Sequence, residues 1–322
     1  MNLPILILGY LRSDEIIQTL SSCSKAGISE VYLAIDGAKS SDGLEAQRLT
    51  VIQLQQLAKQ LSLNLHIRHR QTNAGVAVGV IEGITWFFEN VEFGVILEDD
   101  LIFDESFFRF VSDARNKFQN VTEVAMISGN NFSDMGNQNQ ISACHYPLIW
   151  GWATWNFIWV DFLSSLHKSF KPKIDFRRSI AINLFWFTAA IQSRSGRVDS
   201  WAMSFVHYFR SSGKIAVLPP QNIVKNNGAD NFASHSNRDD EFINFPINRI
   251  ENIVNWQLPN RRHLFGQDKH LEKYHFRISA KNILSPIKLA FDLLRNHTRV
   301  RLDSRLVRSK TDCEILFYEG RK

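Results

Sequence analysis

The sequence predicts an α/β protein with a mostly parallel central sheet flanked by helices, and three observations predict it. Apolar runs of strand length alternate with amphipathic segments of helix length through the first 130 residues. Polar or acidic residues punctuate the carboxyl ends of the apolar runs. Beyond about residue 240 the alternation stops and the chain turns basic. A β-α-β-α order calls for parallel strands joined by right-handed crossovers.

The elements follow in order. Leu3–Leu8 is continuously apolar, as a strand buried on both faces should be. Ser13 reads as a helix N-cap, with Asp14 and Glu15 in the first turn and Gly27 as the stop. Val31–Ile35 is a second strand ending at Asp36-Gly37, and Leu44 to Leu61 an amphipathic helix. Leu63–Ile67 is a third strand, and Gly75 to Phe88 a third helix. Phe93–Leu97 is a fourth strand, ending at Glu98-Asp99-Asp100, after which Asp104 caps a helix carrying Phe107, Phe108 and Val111. Four of the eight tryptophans then fall within ten residues, at 150, 152, 155 and 159. Residues 199–209 read as helix, and 226–237 as loop.

With 322 residues, 44% hydrophobic and 21% charged, the chain is one large domain or a domain with an appendage, and bulk disorder is excluded. The expected division is 1–240, in halves 1–130 and 131–240, followed by a basic, mainly helical extension at 241–322. The net charge of +5 is unevenly placed. Residues 236–322 hold 17 Lys+Arg and 11 Asp+Glu, against 20 and 21 in the rest. A neutral body argues against a nucleic-acid enzyme. Cys23, Cys144 and Cys313 form no CxxC pair and suggest neither a disulfide framework nor a zinc site. No apolar stretch approaches the roughly 20 residues of a membrane span, and the first apolar run lacks signal-peptide flanks. A cytoplasmic protein is expected. GxGxxG, GxxxxGK[ST] and GxSxG are all absent.

In parallel sheets ligands bind beyond the carboxyl ends of the strands. Tyr10 to Arg12, Asp36-Gly37 and Glu98 to Asp100 all fall at such ends. Three adjacent carboxylates at the end of a buried strand disfavour one another's ionisation, and a divalent cation relieves this. Mg²⁺ or Mn²⁺, shared between carboxylates and a substrate's phosphates, suits them. A solvated acidic turn is the alternative.

These segments resemble the GT-A glycosyltransferases, specifically the bacterial proteins similar to N-acetylglucosaminyltransferase I. The resemblance rests on Pro4–Arg12, Ile35-Asp36-Gly37, Asn73–Val76, Ile96–Leu101 with Phe107-Phe108, Val198–Trp201, and Pro219–Gly228 running into Ala233-Ser234-His235, and it spans about residues 1–240. It implies a GT-A fold whose first half binds a UDP-sugar and whose second half binds a saccharide acceptor. Asp100 would hold Mn²⁺ or Mg²⁺ bridging the donor diphosphate, with His235 a second candidate ligand. Glu98 and Asp99 would contact ribose and sugar hydroxyls, Asp36 the uracil N3–H, and Arg12 the phosphates, with Gly9, Tyr10 and Gly75 completing the nucleotide-sugar site. Asp199, in Asp-Ser-Trp, would deprotonate the acceptor hydroxyl, since a sugar hydroxyl needs a positioned base. Trp150, Trp152 and Trp201 would offer an acceptor platform.

Other readings of these residues stay open. Arg12 can be a surface residue, Asp36-Gly37 a turn pair, Asp199 a helix cap, His235 a loop residue, and the tryptophans core. The implied activity is inverting transfer of a sugar, with N-acetylglucosamine the family-weighted guess, in building a cell-surface polysaccharide. A sugar nucleotidyltransferase and a non-catalytic saccharide-binding scaffold are the rivals. Residues 279–310 mix Ile283, Ile287, Leu293 and Leu294 with eight basic residues at 281–310. They read as an interfacial helix able to meet an anionic membrane on its inner face, where a lipid-linked acceptor would lie, or as a helix packed on the body.

Overall fold

The computed structural model describes residues 2–133, 139–168, 174–227 and 245–278, and the backbone of 313–316. Strands β1 (Ile5–Gly9), β2 (Glu30–Ile35), β3 (Asn64–Arg70) and β4 (Phe93–Glu98) alternate with helices α1 (Ser13–Lys25), α2 (Ser41–Gln60) and α3 (Val76–Phe88). After β5 (Leu101–Phe103) come α4 (Ser106–Phe118), β6 (Val124–Ser128), β7 (Ser142–Cys144), β8 (Trp152–Trp155) and α5 (Asn156–His167). The chain continues through α6 (Ile180–Arg194), α7 (Ala202–Ser212), β9 (Ile215–Leu218), β10 (Val224–Asn226), α8 (Arg261–His270) with a π-helical turn at Leu271–His275, and β11 (Cys313–Leu316).

The nine-stranded sheet has the order β11-β3-β2-β1-β4-β8-β6-β9-β7. The block β3-β2-β1-β4 is parallel, and the alternating senses at β8 return β6 and β9 to the same direction. Six strands therefore run one way, and the α/β, mostly parallel prediction holds. The parallel strands carry apolar side chains on both faces because helices cover both. Ile5, Leu6, Ile7, Val95 and Leu97 are buried to within about 1%.

The strand order reverses at β1, which has β2 on one side and β4 on the other. In such sheets ligands bind at a reversal of this kind, which here falls at the carboxyl ends of β1 and β4. A short antiparallel ladder outside the main sheet, β5 with β10, sets Asn226 opposite Leu101 at its rim.

The tryptophan cluster behaves differently from an acceptor platform. Residues 152–155 form β8, inserted antiparallel between β4 and β6, so its side chains enter the core. Trp152 and Trp201 are 1% and 4% exposed and stack on each other with ring centroids 5.9 Å apart. Trp159 and Phe205 join them. A ring enclosed on both faces cannot stack on a sugar, so only Trp150, half-buried against Phe132, keeps accessible surface.

Two predicted caps also moved. Ser13 is already helical, and Arg12 occupies the N-cap of α1 without a side-chain capping bond, its guanidinium reaching the acidic cluster instead. Asp104 precedes α4 by two residues and accepts from the Ser106 amide at 2.8 Å.

Residues 245–278 lie on the body. Trp256 stacks on Phe110, and α8 carries Asp268, fully buried, into an ionic cluster. Arg178 donates to Asp268 at 2.5 Å and lies 3.0 Å from Glu272, while Tyr146 donates to Glu272 at 2.6 Å. His145 faces Asp268 at 2.7 Å. No helix among the described residues is long and apolar enough to cross a membrane.

Candidate active site

The site is built where β1, β2 and β4 end. Asp99 is 5% exposed, and its Oδ2 accepts from the Tyr10 amide at 2.9 Å. This side-chain bond ties the chain just past β1 to the residue that follows β4. Arg12 Nη1 donates to Asp99 Oδ1 at 3.0 Å and to Asp100 Oδ2 at 3.1 Å, and Asn226 donates to Asp100 Oδ1 at 3.1 Å. One guanidinium thus bridges both aspartates, which requires the Arg12 loop and the β4 end to lie side by side.

The cluster is electrostatically strained toward protonation. Burial, then the neighbouring Asp100 and Asp99 charges, pushes the Glu98 carboxyl up to about 8, with Arg12 opposing. Burial pushes Asp99 up to about 6 against the opposing Tyr10 amide and Arg12. Three carboxylates and one cation leave excess negative charge that either protons or a metal ion can relieve. Among the described residues no group of three or more His, Cys, Asp or Glu side chains forms a metal cage. What fits is the open mode of Mg²⁺ or Mn²⁺, with one or two carboxylates and the remaining ligands from water and phosphate oxygens. Asp100, half-buried at the rim, is the carboxylate so placed. His235 lies outside the described residues.

Asp36 performs a structural task that its position at a strand end did not reveal. Its carboxylate accepts from the amides of Gly37 (3.0 Å), Ala74 (2.9 Å) and Gly75 (3.1 Å) and from the Asn73 side chain (3.1 Å). Burial raises its pKa, and these amides and Arg70 oppose the rise. Asp199 takes the next two donors, Val76 N at 2.9 Å and Ala77 N at 2.9 Å. Four consecutive amides leading into α3, Ala74 to Ala77, are therefore shared between two carboxylates distant in sequence, and those of Gly75, Val76 and Ala77 are donors that a helix leaves orphaned. Asp199 caps α3 rather than its own helix α7.

Gly75 permits this. Its φ is +83°, and a Cβ there would fall 2.7 Å from Asp199 Oδ2. Gly9 contributes its carbonyl, which accepts from Asp36 N at 3.3 Å.

Sequence reasoning missed Gln47, which fastens the loops together. Its side-chain nitrogen donates to the carbonyls of Tyr10 (2.7 Å) and Asp36 (2.8 Å), and its oxygen accepts from Ala38 N (3.0 Å) and faces His69 at 3.1 Å. A signal existed: Gln47, Val51, Leu54 and Ala58 form the buried stripe of α2, and a glutamine on an apolar stripe demands partners. Asn226 and Asn73 were also missed as site residues. The structure thus gathers Tyr10, Arg12, Asp99 and Asp100, ties Asp36, Gly75 and Asp199 around the α3 N-terminus beside them, and leaves Trp152 and Trp201 in the core.

No protein-family model matches the chain, and no curated protein matches it. Solved structures that resemble it include a UDP-glucose pyrophosphorylase complexed with UDP-glucose, at 8% identity and TM-score 0.38, covering 69% of this chain and 92% of that one. S. aureus TarS in complex with UDP-GlcNAc is similar at 12% identity and TM-score 0.40, covering 74% of this chain. The chain spans 63% of that structure, under two thirds of its length. A mannose-1-phosphate geranyltransferase from Thermus thermophilus is similar at 10% identity and TM-score 0.34, covering 70% of this chain and 76% of that one.

Proposed function

We propose that the acidic cluster at the ends of β1 and β4 is the active site of an inverting glycosyltransferase that moves a sugar from a UDP-sugar to a saccharide hydroxyl. The observation that carries this reading is the Arg12–Asp99–Asp100 constellation at the strand ends where the strand order reverses. It offers a cation for phosphate and surplus carboxylate for a metal, side by side.

Asp100 and the donor's diphosphate would hold Mn²⁺ or Mg²⁺, which when bound neutralises charge on the leaving UDP. Arg12 swings between carboxylates and phosphate oxygens, to which a guanidinium binds in the same forked geometry. Glu98 and Asp99 line the sugar side. Asp36 already accepts four donors, close to a carboxylate's capacity. Reading a uracil imide therefore requires one donor, most simply the Asn73 side chain, to yield its place. Asp199 is exposed, and the α3 amides fix its orientation while its outward lone pairs face solvent. That placement suits a base that takes the acceptor hydroxyl's proton as the hydroxyl attacks the anomeric carbon. N-acetylglucosamine is the sugar the family resemblance suggests. Peripheral attachment through 279–310, outside the described residues, completes the reading and is tested by flotation with anionic liposomes.

The deciding experiment incubates the full chain with a UDP-sugar panel, Mn²⁺ and saccharide acceptors, reading UDP and product mass. Saturable UDP release that Asp100→Asn abolishes supports transfer. Pyrophosphate from UTP and a sugar phosphate would make it a nucleotidyltransferase, and UDP binding without turnover a scaffold. Asp199→Asn should fold and bind UDP yet lose transfer by about 10²-fold or more.

A further inference from the structure

One cavity among the described residues lies away from the acidic cluster. It holds about 330 Å³, within the range of small-ligand pockets, and opens between the carboxyl end of α1, the start of α4 and the segment around residue 249. Lys25, Arg109 and Arg249 line it, with Glu105 the single acid and Phe103 and Phe108 contributing apolar wall.

The walls are fixed. Arg109 Nη2 donates to the carbonyls of Ile250 (2.5 Å) and Glu251 (3.0 Å), and the Ile250 amide donates to the Ser106 hydroxyl at 3.1 Å. These bonds hold the 249–251 segment across α4 and keep Arg249 at the mouth. Among the described residues Lys25 and Arg249 make no ion pair, so their charges are available to a ligand. Three cations against one carboxylate give a formal +2, which one dianionic group cancels.

We infer that this cavity binds a phosphate monoester of small-metabolite size. Such a group carries about −1.5 to −2 charge near neutral pH and three acceptor oxygens. The Arg249 guanidinium can present paired N–H donors to it, while Arg109, its Nη2 held by the Ile250 and Glu251 carbonyls, adds its charge and remaining N–H groups and lysine supplies a point charge. The rest of the ester would lie along the Phe103 side of the wall. The site is separate from the acidic cluster, since α1 places Lys25 roughly 20 Å from Arg12 along its axis. Phe103 nonetheless follows Asp100 by three residues, so occupancy of one site can be felt at the other. The inference does not rest on the glycosyl-transfer reading.

The test is isothermal titration of the full chain with glycerol 3-phosphate at low ionic strength, with EDTA present so that metal-dependent binding at the acidic cluster is silent. A saturable site is expected, at least tenfold weaker in Lys25→Gln and in Arg249→Gln and unchanged in Asp100→Asn. Both glutamine variants alter exposed side chains, and their thermal melts should match the parent. Vesicles of phosphatidic acid in phosphatidylcholine form the second arm. Binding that Arg249→Gln abolishes there assigns a lipid headgroup as the source, whereas binding of the soluble ester alone assigns a metabolite. No heat with either probe overturns the proposal. So does binding that survives both glutamine substitutions, or that Arg12→Gln abolishes.

Discussion

Gly75 meets two demands with one missing methyl group. Its positive φ lies in the region that L side chains rarely adopt, and its Cα faces the Asp199 carboxylate too closely for a Cβ. Gly75→Ala is therefore expected to cost about 1–3 kcal/mol by backbone strain. It should also push Asp199 off the amides of Val76 and Ala77. Chemical denaturation should show the loss, and transfer should fall together with stability; a variant of unchanged stability would mean that the clamp is not rigid. His207 sets a pH limit from another direction. Burial, then Arg194 and Arg210, pulls its pKa down to about 4 from 6.5. A base depressed in the folded state binds fewer protons there than when unfolded. The stability it contributes is therefore present above pH 6.5 and lost as pH falls toward 4. The full loss is at most roughly 3 kcal/mol. Melting temperatures between about pH 7 and pH 4 should fall less steeply in His207→Gln than in the parent.

At the scale of elements, α2 decides how well β1 and β2 present their ends. Gln47 joins the carbonyls of Tyr10 and Asp36 to the Ala38 amide. Gln47→Leu fills the space and strands three backbone groups, the buried Ala38 amide and the part-buried Tyr10 and Asp36 carbonyls, an expected cost of about 2–5 kcal/mol with weaker UDP binding. Gln47→Glu keeps an acceptor for Ala38 but loses both donations, so it should fall between, as paired melts and UDP titrations would show. These parts of the molecule differ in how far the sequence disclosed them. β1, β2 and β4 were legible because a strand covered on both faces must be continuously apolar. The acidic cluster was legible because three carboxylates at such a strand end are costly without a partner. β8 was not, since an inserted antiparallel strand rich in tryptophan has the same composition as an aromatic binding surface. The Asp199 cap was hidden because its acceptor lies 123 residues from the amides it satisfies, and nothing local to α3 marks it.

At the scale of the whole molecule, the change of composition near residue 240 is a change of charge across which packing continues. Asp268 and Glu272, on α8 and its π-helical turn, enter the body and meet Arg178, whose guanidinium also lies over the Phe265 ring at 4.2 Å. A buried ion pair gains little over an apolar replacement, because desolvation offsets the attraction, but breaking one side is severe. Arg178→Met leaves two acids in the interior beside Tyr146, His145 and Arg210, and about 3–5 kcal/mol of stability should be lost in urea unfolding of the full chain. Adding Asp268→Asn and Glu272→Gln in that background should recover part of it, because the acids then no longer carry buried charge. Removing residues 245–322 should likewise uncover Phe110 and Phe118 beneath Trp256 and strip Arg178 of Asp268 and Glu272, leaving it Asp175 at 3.7 Å. The shortened chain should unfold over a broad, weakly cooperative range. A sharp transition at the parent's midpoint would instead show that residues 2–244 hold their core unaided, and would reduce α8 to an attachment whose ion pairs merely fasten it in place.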